Sequence, residues 1–148
     1  MYSTLLQIHS ILRFVVLILV VIAIVSAFAG WFGRKEYTST SKKINLFTLI
    51  SAHTQLLVGL ILYFVSPNVL TSNMAAAMKD STLRYWTVEH ISMMIIAIVL
   101  VTVGYSKSKK AFGAVEKHRN IAIFYTLAAI IVVVAISLSG RPLLGMSV

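Results

Sequence analysis

The chain has 148 residues, 59% of them hydrophobic and only 11% charged, and 13 Lys and Arg against 4 Asp and Glu leave a formal charge of +9. A soluble domain carries about a quarter charged residues, so this composition excludes an ordinary water-soluble core and points to one membrane-embedded domain. Cysteine is absent, which excludes disulfides, thiolate-ligated zinc, iron–sulfur clusters and cysteine nucleophiles.

In chain order, four apolar runs reach the roughly 20 residues a helix needs to cross about 30 Å of hydrocarbon. The first, about Thr4–Phe32, is long enough to tilt. It has no basic residue before its apolar core, and that core is too long for a signal peptide, so it reads as a retained helix. The second covers about Ile44–Val65 and stops before Pro67. The third covers about Leu83–Tyr105. The fourth is apolar over Ile121–Leu138, starts as helix near His118, and stops before Pro142. No run alternates with the two-residue period of a barrel strand. The expected fold is all-α: an integral membrane four-helix up-down-up-down bundle, one domain over residues 1–148, multi-pass in the cell (inner) membrane.

Charge predicts the orientation. Arg34, Lys35, Lys42 and Lys43 fall between the first two helices, and Lys107, Lys109, Lys110, Lys117 and Arg119 between the last two. The positive-inside rule makes both segments cytoplasmic and puts both termini and the loop Ser66–Thr82 on the outer, periplasmic side. The net charge is then a topology signal, with anionic lipid headgroups as added partners and no need for nucleic acid. Trp31, Tyr37, Tyr63, Tyr85, Trp86 and Tyr105 fall near helix ends, where an interfacial aromatic belt is expected.

Ionisable groups inside a membrane are costly and mark the first place to look for function. His9, Arg13, His53, Glu89 and His90 lie within the runs, and His118 at the start of the fourth. At 1.5 Å per residue, His9 is roughly 8 Å and His90 roughly 10 Å from the outer ends of their helices, so the two are nearly level; His53 is deeper. In an up-down-up-down bundle, helices 1 and 3 face each other across the core, where bundles build cofactor sites. Two level imidazoles there suit a heme, which is flat and apolar. Its propionates would point outward, to Arg84 and Arg141. Arg13 shares a helix face with His9 and is placed to pair with Glu89 or to bond within the site.

Each of these residues also has a plainer reading. His118, between Lys117 and Arg119, suits a structural or interfacial role, and His53 either packs or serves a cofactor or substrate. Met93 and Met94 offer a thioether ligand or core filler. Zinc would want a third ligand at the same level. The chain has no HExxH, nucleophile elbow or phosphate loop, and Gly30, Gly33, Gly59 and Gly104 suit close helix packing.

The stretches Ile8-His9-Ser10-Ile11-Leu12-Arg13, Gln55-Leu56-Leu57-Val58-Gly59-Leu60 and Arg84-Tyr85-Trp86-Thr87-Val88-Glu89-His90 resemble, in order, the motifs of one half of heme A synthase and of small four-helix membrane b-type cytochromes. The resemblance implies a bis-histidine heme b with His9 and His90 as metal ligands. Heme A synthase has two such bundles and an acidic residue beside its first histidine, where this chain has Gln7 and Ile8. The expected function is therefore heme binding and electron transfer, with a quinone or redox protein as partner and a second copy of the chain as a further candidate, rather than substrate turnover. Two alternatives stand beside it: a cofactor-free accessory membrane subunit, and a quinone- or proton-handling protein using His53, Glu89 and Arg13.

Overall fold

The computed structural model describes residues 2–67, 69 and 72–139. Four long helices form it: α1 (Tyr2–Phe32), α2 (Ser39–Val65), α4 (Ser81–Lys110) and α5 (Ala114–Leu138), with the short α3 (Met74–Lys79) between α2 and α4. All four are long and apolar enough to cross a membrane, which makes this a multi-pass membrane protein. No strand occurs among the described residues.

The helices start earlier than the apolar runs because polar caps and turns begin them. Thr38 and Ser41 form a reciprocal capping box, so α2 starts at Ser39 rather than near Ile44. Asp80 Oδ1 accepts from the Thr82 and Leu83 amides at 2.9 and 3.0 Å and starts α4. α1 ends in a paired C-terminal turn: the Lys35 amide donates to Gly30 O at 3.0 Å and the Arg34 amide to Trp31 O at 3.4 Å. Arg34 takes the left-handed conformation there (φ 50°), a position glycine usually fills.

Sequential helices run antiparallel. Each packs on its neighbours in the order α1, α2, α4, α5 and back to α1, so α1 and α4 are diagonal. The α2–α4 seam is the loosest of the four. Both basic segments consequently lie at one end of the bundle, called here the basic end. Ile18, Val21, Val25, Leu57, Phe64, Val99 and Ile130 all point outward, as lipid-facing side chains should.

The half of the bundle near the basic end is packed solid. Ala23, Ala27, Ala97, Val101, Ile121, Ala122, Tyr125 and Ala128 form its core. The small residues let the backbones approach closely; a β-carbon on Gly104 would come within 2.4 Å of Phe124 Cβ, and one on Gly30 within 2.5 Å of the His118 ring. Tyr125, fully buried, donates to Asn45 O at 2.9 Å, and Asn45 Nδ2 donates to Tyr37 Oη at 3.0 Å. His118, 3% exposed, bonds the Glu36 carbonyl at 3.1 Å and meets Tyr37 edge-on. It therefore ties the α1–α2 connection to α5.

Candidate functional site

The other half of the bundle opens into an apolar cleft. Its mouth is at the end opposite the basic end, beside Tyr2, Ser66, Val69 and Ser139, and its floor reaches Val20, Ala97, Val101 and Ala128. Its cavity volume is about 180 Å³, small beside the roughly 300–1,000 Å³ of an ordinary small-molecule pocket, so a large ligand would have to spread the helices or extend through the mouth. Small residues line it: Ala52 and Gly59 on α2 and Ala129 on α5, with Ala97 and Ala128 of the packed core at its floor.

Three polar side chains tie the helices together around the cleft. Gln55 Nε2 donates across to His9 O at 2.8 Å, joining α2 to α1. Tyr63 Oη donates to Thr87 O at 2.7 Å, joining α2 to α4. Tyr85 Oη donates to Ala135 O, joining α4 to α5. Tyr63, Tyr85 and Trp86 all line the cleft, so these three aromatics serve the interior and not the lipid interface expected of them.

His9 and His90 enter the cleft from the diagonal helices α1 and α4. His9 packs beside Gly59, where a β-carbon would stand 3.3 Å from its Nε2. Tyr63 opposite Thr87 and His53 opposite Thr102 fix the α2–α4 register, which puts His90 across from residues near Leu60. The two histidines are therefore level to within about one helical turn.

The approach to His90 is not a plain α-helix. Tyr85–Glu89 forms a single π-turn, with the His90 amide bonded to Tyr85 O. In an α-helix, residues five apart point about 140° away from each other. The wider turn instead stacks them, which allows two contacts: Tyr85 Oη to His90 Nδ1 at 3.2 Å and Arg84 Nε to Glu89 Oε1 at 2.8 Å. Glu89 is thus held by Arg84 and not by Arg13. Sequence reading treated this stretch as uniform helix and missed both the turn and Tyr85. The only local hint was an aromatic pair, Tyr85-Trp86, set a few residues before an intramembrane histidine.

The remaining candidates divide. Arg13 lines the cleft one turn deeper than His9 and is the cationic side chain there among the described residues. Met94 lines it also, and Met93 does not. Arg84, engaged with Glu89 and with Met78 O at 3.4 Å, is not on the cleft wall. His53 sits exposed at the α2–α4 seam, where its Nε2 meets Thr102 Oγ1 at 2.9 Å, and does not reach the cleft. The Thr102 hydroxyl proton goes to Ile98 O, so His53 donates in that bond. Arg141 and Pro142 lie outside the described residues.

Chemically, the cleft offers an apolar slot lined by two imidazoles, one guanidinium and a buried Gln55 Oε1 that has no hydrogen-bond partner among the described residues. No group of three or more His, Asp or Glu converges among the described residues. Compared with protein families, with curated proteins and with solved structures, the chain matches none.

Proposed function

We propose that the cleft binds a heme b between His9 and His90 and that the protein transfers electrons within the cell membrane. The observation that carries the reading is the convergence of these two histidines, from diagonal helices and at one level, on one apolar cleft. The fit is one of chemistry: the walls are aliphatic, two imidazoles line them, and Arg13 supplies a cation inside the slot. Arg84 is less suited to that role, being paired with Glu89. A heme held by His9 and His90 would supply one-electron transfer. The protein's own part is to hold two imidazoles, exclude water with its apolar walls and keep the Arg13 guanidinium below them.

The positive-inside rule, applied to the basic end, directs the cleft mouth to the outer side of the membrane. Electrons would then pass between a membrane quinol and an outward partner. The proton-handling alternative loses support, because His53, Glu89 and Arg13 do not share one surface. One observation favours a second reading, a quinol in the same cleft: the buried Gln55 Oε1 would accept from a hydroxyl. The absorption spectrum of protein purified after expression with ample heme tests the first reading. A low-spin spectrum with a sharp α-band on reduction, lost in His9→Ala and in His90→Ala, is expected. Colourless protein that takes up no heme on titration would overturn it and leave the quinol reading.

A further inference from the structure

The Tyr85 hydroxyl has one proton, and the backbone carbonyl of Ala135 can only accept, so that proton is committed to Ala135 O. The 3.2 Å contact between Tyr85 Oη and His90 Nδ1 can then be a hydrogen bond only if Nδ1 carries a hydrogen and donates it. A neutral imidazole protonated at Nδ1 has its lone pair on Nε2. Tyr85 is 5% exposed, so water does not compete readily for its oxygen. The Tyr85 and Trp86 rings stand 5.7 and 5.1 Å from the His90 ring and restrict its rotation. None of this would occur in a regular helix, because the π-turn is what brings Tyr85 under His90.

We propose that Tyr85 is a positioning residue for His90: it accepts the Nδ1 hydrogen, fixes the tautomer and so presents Nε2 as the metal-binding nitrogen. The inference rests on the heme reading for its purpose but not for its chemistry, since the tautomer is a property of the chain itself. Metal-ligating histidines generally donate their second ring N–H to such an acceptor, and losing it weakens metal binding about 10–100-fold.

The test has two arms. Nitrogen-15 NMR of histidine-labelled full-length protein without added heme, in lipid nanodiscs, with His90 assigned through His90→Gln, reads the tautomer directly. The expected result is Nδ1–H in the wild type and a shift toward Nε2–H in Tyr85→Phe. Nε2–H in the wild type, or an unchanged tautomer in Tyr85→Phe, overturns the proposal; should Tyr85→Phe fail to fold, the wild-type spectrum alone decides. The second arm separates positioning from the Tyr85–Ala135 tie between α4 and α5. In His90→Gly, added imidazole should restore hemin binding about tenfold better than 1-methylimidazole, which has no N–H to donate. Adding Tyr85→Phe should abolish that preference, and a preference that survives it counts against the proposal. Failure of the wild type to bind hemin would sink the heme reading separately, with the NMR arm still deciding the tautomer.

Discussion

The two halves of the bundle are made of the same four helices and nearly the same residue types, yet one is filled and the other is open. Near the basic end, alanines and Gly30 and Gly104 draw the helices together until Tyr125 and His118 fill what is left. In the other half, alanines and Gly59 do not bring the backbones together. Gln55, Tyr63 and Tyr85 span the gaps between neighbouring helices instead, and the small residues line a cleft. Small side chains permit close packing; what bridges the helices decides whether it happens. The polar groups follow the same division. Tyr125, Asn45 and His118 of the packed half bond within that half, whereas His9, Arg13 and His90 line the cleft.

The comparison can be tested by adding bulk to each half. Gly104→Leu should be the most damaging change, because its β-carbon already overlaps Phe124; a loss of about 3 kcal/mol is expected from unfolding in detergent. Tolerance of this change would show that the packed half is not packed. Tyr125→Phe removes a fully buried hydroxyl bond to Asn45 O and should cost about 1 kcal/mol, read as a lower midpoint in the same assay. Ala52→Leu puts similar bulk into the cleft wall. It should change the stability of the heme-free protein by less than about 1 kcal/mol, while sharply reducing heme uptake in a hemin titration. A large stability loss with unchanged uptake would reverse the roles assigned to the two halves. His53→Ala should have the smallest effect, about 0.6 kcal/mol for its seam bond to Thr102, with heme uptake unaltered.

Much of the fold was legible from the sequence because hydropathy and length decide membrane spans. The predicted helices over 4–32, 44–65, 83–105 and 118–138 correspond one to one with α1, α2, α4 and α5. Their ends were misjudged where polar caps such as Thr38 and Asp80 start a helix ahead of its apolar stretch. The matched depth of His9 and His90 was legible too, since rise per residue is fixed. What a side chain faces was not. A helix that is apolar all round has no sequence signal for its inward side, which is why His53 was expected beneath the site and lies instead at the exposed α2–α4 seam. The π-turn was equally hidden: it shifts the register of one turn without any proline or glycine to mark it, and with it go the Tyr85–His90 and Arg84–Glu89 contacts.

The open half is proposed to hold a heme between His9 and His90. The most direct measurement is the reduced-minus-oxidised absorption spectrum of the purified protein beside His9→Ala, His90→Ala and His53→Ala. A low-spin signal is expected in the wild type and in His53→Ala, with its loss in each of the other two. A wild type without that signal after expression in ample heme, or a signal that survives both His9→Ala and His90→Ala, would contradict it.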